Sequence, residues 1–313
     1  MPDHTVIKPE SVVAAGPFAP GHIGELTRIV PFEMVNAALD SARATQTRLR
    51  ELPSRVVVYL LLSAALFPNI GCTRVWAKMT AGLAGAVAAP GSSALSQARR
   101  RIGVAPLWEL FNLIKGPAAG AARWPGLLVC AIDGTSMFVP DNVANLGAYH
   151  RQTGGPNGDS GYPMVRMLAV VACGTRTIVD AVIGTYGVSE IAYAPKLVGF
   201  LREGMLLLAD RNFAAASLIE QIVDTDADLL IRCKNNRKLA SIERLPDGSR
   251  LAPIGPVIVR VIDAEIVAPR KAVPSSPAVT GSSPLWRIIA AIRHQTWSGC
   301  ITSDGRSRRP ISS

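Results

Sequence analysis

Two apolar runs, each stopping at a lone carboxylate, limit the folds open to this chain more than any other feature. "GLLVCAID" runs from Gly126 to Asp133, and "GMLLLAD" runs from Gly204 to Asp210. Both are short, continuous and opened by glycine, the pattern of a buried strand rather than a surface helix. "TSMFV" resumes after Asp133-Gly134, and "MVRMLAVVAC" and "TIVDAVIG" read as a hairpin around Gly174. "APKLVGFLREG" predicts an amphipathic helix closed by Gly204, and "AAASLIEQIVD" a second helix. "ADLLIRC" and "VIVRVIDAEI" predict further strands, with a Pro-Asp-Gly turn in "KLASIERLPDGSRLAPIG" between two more. Strands followed by helix–strand–helix–strand imply an α/β domain with a mixed sheet.

Upstream the period changes. In "PFEMVNAALDSARATQTRLREL" apolar residues recur every three or four positions, which predicts one helix reaching Pro53. Ser54 to Phe67 and "GCTRVWAKMTAGL" predict two more. "PGSSALSQARRRIG" predicts another, with Ser92 or Ser93 as N-cap and Arg99, Arg100 and Arg101 before Gly103. Such a triplet can face DNA phosphates, or simply complement the negative end of a helix dipole. The expected organisation is a loosely ordered 1–24, an all-α domain over 25–120 and an α/β domain over 121–266. An irregular basic tail over 267–313 follows, in which only "LWRIIAAIR" has the character of a packed element.

Composition excludes several classes. With 49% hydrophobic and 18% charged residues the chain is globular, not disordered. Its longest apolar run, Val56 to Phe67, has 12 residues, short of the roughly 20 that span a bilayer. No N-terminal pattern of a secretory signal is present, so a cytoplasmic, nucleoid-associated protein is expected. The five cysteines are scattered and unpaired with histidines, which predicts reduced thiols rather than disulfides or zinc. A net charge of +10 suggests nucleic acid, but +6 of it lies beyond residue 266.

The chemistry resides in the two carboxylates, 77 residues apart. Held close at the ends of neighbouring strands they would repel, and hard cations between them would keep both ionised. Two such ions about 4 Å apart can activate a hydroxyl and stabilise a departing phosphate oxygen. Two structural alternatives stand beside this. Asp133-Gly134 is also a hairpin signal, and Asp210 can cap the helix that follows. "RCKNNRKL", Arg232 to Leu239, groups basic residues after a strand and suits either phosphates or a solvated turn.

In order and spacing these segments resemble the transposases of the IS4 family of bacterial insertion sequences. The helical stretch resembles that family's N-terminal domain, "AIDGT" and "GMLLLADRNF" its first two acidic motifs, and "ADLLIRCKNNRKLASIERLPDGS" the start of its β-rich insertion. The resemblance implies a ribonuclease-H-like fold with a β-rich insertion and an Asp-Asp-Glu triad holding two Mg²⁺, with Mn²⁺ as a substitute. It implies nicking at element ends and strand transfer into target DNA. Asp133 and Asp210 would be the first two acids and metal ligands. Arg99, Arg100, Arg101, Arg211, Lys234 and Arg237 become expected DNA contacts. Double-stranded DNA, as terminal inverted repeats and target, is the expected partner, engaged by a homodimer.

One departure is clear. The family's third acid lies in a Tyr-x-x-Arg-x-x-x-Glu signature, absent here; after Glu265 the only acid is Asp304. Reading "WSGCITSDGRSRRPISS" one base earlier, with permitted codons, gives LVRLYHERWEIETAYLE, which contains that signature. A frame slip between about Val267 and Val279 is therefore expected. The alternative function is a catalytically inactive DNA-binding remnant that binds element ends or pairs with intact transposase. An unrelated two-metal nuclease is a third reading.

Overall fold

A computed structural model describes residues 19–265 and 285–291, apart from 49, 85–86, 125, 155–157 and 235. The chain divides into two compact units, Met1–Lys115 and Gly116–Ser313. In the first, helices α1 (Ile23–Ile29), α2 (Phe32–Ser41), α3 (Ser54–Leu66), α4 (Cys72–Thr80), α5 (Ser92–Ile102) and α6 (Ala105–Ile114) share one core. Val35, Ala38 and Leu39 of α2 are buried at helical spacing, as are Leu95, Ala98 and Ile102 of α5. At the centre Tyr59 is fully buried, and its hydroxyl donates to the Val30 carbonyl at 2.6 Å.

The helix expected to reach Pro53 stops at Ser41 instead. Arg43 adopts φ 53°, its N–H donates to the Asp40 carbonyl, and the Ala44 N–H donates to Leu39. This is a Schellman stop, in which glycine usually takes the left-handed position. Residues 42–53 are consequently a loop, pinned where Ser54 N–H donates to Gln46 Oε1 at 3.0 Å. The N-cap of α5 is Gly91, one residue before the serines that suit the role.

In the second unit β1 (Arg123–Trp124) borders β2 (Leu127–Phe138), followed by α7 (Val143–Ala148), β3 (Arg151–Gly154), β4 (Gly158–Ala172) and β5 (Thr177–Thr185). The one-turn helices α8 (Glu190–Tyr193) and α9 (Pro195–Val198) lead to β6 (Met205–Ala209). A 3₁₀ turn at Arg211–Phe213, α10 (Ala216–Val223) and β7 (Asp228–Cys233) come next, then β8 (Glu243–Arg244), β9 (Arg250–Ile254), β10 (Val257–Glu265) and β11 (Leu285–Ala291). Of the helix expected over "APKLVGFLREG" only the single turn α9 forms, opened by Pro195 and ending at Val198; α8 precedes the segment.

β2, β4 and β5 form an antiparallel meander, and β6 and β7 add parallel to β2. Numbered in chain order, those five strands lie 3-2-1-4-5, the ribonuclease-H-like arrangement. The helices α8, α9 and α10 cover one face through Tyr193, Leu197, Leu218, Ile219 and Ile222.

The sheet continues from β7 through β11 to β10, β9 and β8. The segment "LWRIIAAIR", singled out in the tail after residue 266, supplies β11. β11 pairs antiparallel with both neighbours, Arg287 opposite Cys233 on one side and Asp263 on the other. Ile289 and Ala290 fill the slot fully buried. Asp263 accepts from Arg250 and Arg287, both at 2.7 Å, tying three strands together. Burial raises the Asp263 pKa, but these two guanidinium donors outweigh it and hold the carboxyl below its usual range. The rest of the tail, Asp304 included, lies outside the described residues. No helix among the described residues is long and apolar enough to cross a membrane.

Candidate active site

The parallel pairing of β2 with β6 decides where the two carboxylates stand. Leu128 lies beside Met205 and Ala131 beside Leu208. Two more steps of that register set Asp210 level with Asp133. The pleat agrees: Leu127, Val129 and Leu206 cluster on one face. Asp133 is four residues after Val129 and Asp210 four after Leu206. Side chains alternate along a strand, so Asp133 leaves on that face, opposite α8–α10, and Asp210, the residue after β6, continues the same alternation.

The hairpin alternative for Asp133-Gly134 does not hold. β2 runs unbroken through both residues, paired with β4 from Cys130 opposite Ala172 to Phe138 opposite Met164. The capping alternative for Asp210 does hold, alongside its place beside Asp133. Its Oδ1 accepts from the Asn212 N–H at 2.7 Å and starts the 3₁₀ turn, which Phe213 anchors in the core. Asp133 Oδ1 accepts from the Gly134 N–H at 2.8 Å. A carboxylate has two oxygens and about four acceptor sites, so each retains free capacity. Both are exposed, and neither is in an ion pair among the described residues. Among those residues no group of three His, Cys, Asp or Glu side chains is placed to hold a metal ion.

Sequence reasoning missed Glu190. A Cβ built on Gly134 would lie 2.4 Å from Glu190 Oε1 and 2.9 Å from its Cγ. The glutamate lies against the strand at Gly134, on the face away from Asp133. The signal was the Asp-Gly pair, which reads more readily as a turn.

The expected DNA contacts occupy different settings. Arg211 is exposed in the turn directly after Asp210, and Lys234 is exposed just past β7. Arg237 is half-buried: its guanidinium donates to the Ala214 carbonyl, and its own carbonyl accepts from Arg287 at 3.2 Å. It ties the loop after β7 to the segment after Asp210. Arg99, Arg100 and Arg101 sit in the last turn of α5 in the helical unit, with Arg101 Nη2 donating to the Leu52 carbonyl at 2.8 Å. Cys72, Cys130, Cys173 and Cys233 are free thiols, and Cys300 lies outside the described residues. Burial, with Cys173 nearby, pushes the Cys130 thiol up to about 11, which makes it a core residue rather than a nucleophile.

Residues 20–112 match the family described as insertion element 4 transposase N-terminal, and residues 124–274 the family described as transposase DDE domain. Over 197 residues the chain is 26% identical to InsZ of Escherichia coli (strain K12), covering 61% of this chain and 64% of InsZ. Over 227 residues it is 24% identical to transposase InsG for insertion sequence element IS4, from the same organism, covering 71% of this chain and 51% of InsG. The chain thus spans between half and two thirds of these relatives. Among solved structures, the cryo-electron microscopy structure of piggyBac transposase synaptic complex with hairpin DNA overlaps 83% of this chain and 57% of its own, at 12% identity and a TM-score of 0.41.

Proposed function

The chain belongs to the IS4-type DDE transposases, a family of enzymes, and on that premise we propose that it acts on DNA by phosphoryl transfer centred on Asp133 and Asp210. The observation that supports this reading is the β2–β6 register, whose last pair, Ala131 beside Leu208, lies two residues before Asp133 and Asp210 alike. Two exposed carboxylates with free oxygens are a hard donor set suited to Mg²⁺, or to Mn²⁺ in its place. Divalent ions bound there supply activation of the attacking oxygen and neutralisation of charge on the leaving oxygen of a phosphodiester.

The protein's own contribution is placement. Asp133 is fixed within a strand paired on both sides, and Asp210 is fixed by its cap on the 3₁₀ turn. Arg211 and Lys234 are the cations for neighbouring phosphates, and Arg237 orders the loop that carries Lys234. The DNA substrates are the element's terminal inverted repeats and its target, with two copies of the chain acting together on paired ends. The missing Tyr-x-x-Arg-x-x-x-Glu signature impairs nicking and strand transfer, because two-metal chemistry depends on every ligand being in place.

The test is Mg²⁺- or Mn²⁺-dependent nicking of a duplex carrying the element's terminal repeat. Weak nicking that disappears in Asp133→Ala and in Asp210→Ala, with DNA binding intact, is the expected result. Nicking unchanged in Asp133→Ala overturns the assignment. Binding without any nicking establishes the inactive remnant instead. Sequencing the codons downstream of Glu265 tests the frame slip directly.

A further inference from the structure

The Schellman stop after α2 has a consequence for the surface of the helical unit. It turns the chain into a loop that, with the end of α5, walls a cleft of about 260 Å³. Arg43, Arg48 and Arg50 line it from the loop and Arg101 from α5, alongside Thr45 and Gln46. No Asp or Glu lines it, and none of the four arginines is in an ion pair among the described residues. Gln46 adds a donor. Its Oε1 is taken by Ser54 N–H, while Nε2 is buried with no partner among the described residues. Such an orphan donor calls for an acceptor. Arg43 stands at φ 53°, where glycine would be unstrained.

We propose that this cleft holds a phosphate of the DNA backbone, with Arg48, Arg50 and Arg101 as its cationic walls. The cleft is too small for a cofactor-sized molecule, which would need about 300 Å³ or more, but admits a phosphate with its waters. Guanidinium groups match phosphate oxygens in paired geometry and keep their charge at any working pH. Arg101 is already oriented by the Leu52 carbonyl. The proposal rests on the reading that this chain handles DNA, and it adds a contact far in sequence from the Asp pair.

The test is fluorescence anisotropy of the full chain with a labelled duplex in EDTA, where no cleavage chemistry contributes. Each phosphate that the protein no longer neutralises should flatten the log K against log salt slope by about 0.9. Arg48→Ala/Arg50→Ala should flatten it by about 0.9 and weaken binding at least about tenfold at physiological salt. Arg48→Lys/Arg50→Lys should keep most of the slope, and Arg28→Ala, on exposed α1, should change nothing. Circular dichroism establishes that each variant is folded. An unchanged slope in the folded double Ala variant overturns the proposal, even if wild type binds duplex well. Loss of inorganic phosphate binding in the double variant with duplex binding untouched also overturns it, marking a small-anion site. If wild type binds no duplex, the transposase reading falls and the cleft assignment with it. Loss of nicking in Asp133→Ala leaves this binding result standing, so the two readings fail separately.

Discussion

Asp210→Asn separates the two jobs that Asp210 performs. Asparagine caps a helical turn as well as aspartate does, so the Asn212 hydrogen bond survives while the charge goes. Alanine would lose both, costing a further 0.5–2 kcal/mol, about 1 in a typical case. Continued two residues past its last pair, the β2–β6 register sets the two charges one strand spacing, about 5 Å, apart. Two like charges at that distance in water repel by about 0.8 kcal/mol, less with added salt. Without metal, Asp210→Asn should therefore be more stable than wild type by up to about 0.8 kcal/mol. With Mg²⁺ at about one hundred times its Kd, wild type should gain about 2.7 kcal/mol and the variant little. The order of stabilities reverses between chelator and metal. Urea denaturation followed by circular dichroism, with and without Mg²⁺, measures both arms. Equal responses to Mg²⁺, or a variant less stable than wild type in chelator, would refute the pairing of these carboxylates.

Other consequences are open to measurement. A Cβ at Gly184 would lie 2.1 Å from the hydroxyl of Tyr193, a buried ring bonded to the Thr185 carbonyl at 3.1 Å. Gly184→Ala should cost about 1–3 kcal/mol by overpacking, read as a lower denaturation midpoint, and a neutral result would mean the ring moves freely. Arg43→Gly should relieve the left-handed strain and raise stability by about 1 kcal/mol while weakening DNA binding. A stabilised variant with full affinity would remove Arg43 from the cleft. Asp263 has a depressed pKa, so its contribution is complete above about pH 4 and is lost as the pH falls through the folded-state value. Asp263→Asn should be less acid-sensitive than wild type between about pH 4 and 2, measured by acid titration of stability.

Legibility in the sequence followed the range of the interactions involved. The Asp133 and Asp210 strands were readable because burial on both faces writes a continuous apolar run, and the β4–β5 hairpin because Gly174 marks its turn. The stop after Ser41 was not, since the left-handed position belongs to an arginine and the apolar spacing runs on past it. Gly134 was misleading for a related reason. Its missing side chain makes room for Glu190, a contact between residues 56 apart, whereas the local reading of Asp-Gly is a turn. The arginine cleft was invisible because it joins a loop to a helix end some fifty residues later. Of the Arg99–Arg101 triplet that the sequence displays, only Arg101 lines the cleft, and its other walls come from the fold.

The position of β11 imposes an order of events on biosynthesis. The five strands of the ribonuclease-H-like core are complete once Cys233 has been made, but β7 has no neighbour on its far side until Ala291, 58 residues later. At about 5–20 residues per second the ribosome leaves that edge bare for roughly 3–12 s. During this time β7, an apolar strand with free backbone donors and acceptors, is open to pairing with another chain. β10 joins the hydrogen-bonded sheet through the same late strand. Strands β8–β10 are therefore joined to the core sheet by the latest-made of the described strands, and any change in what is translated after residue 266 alters that junction.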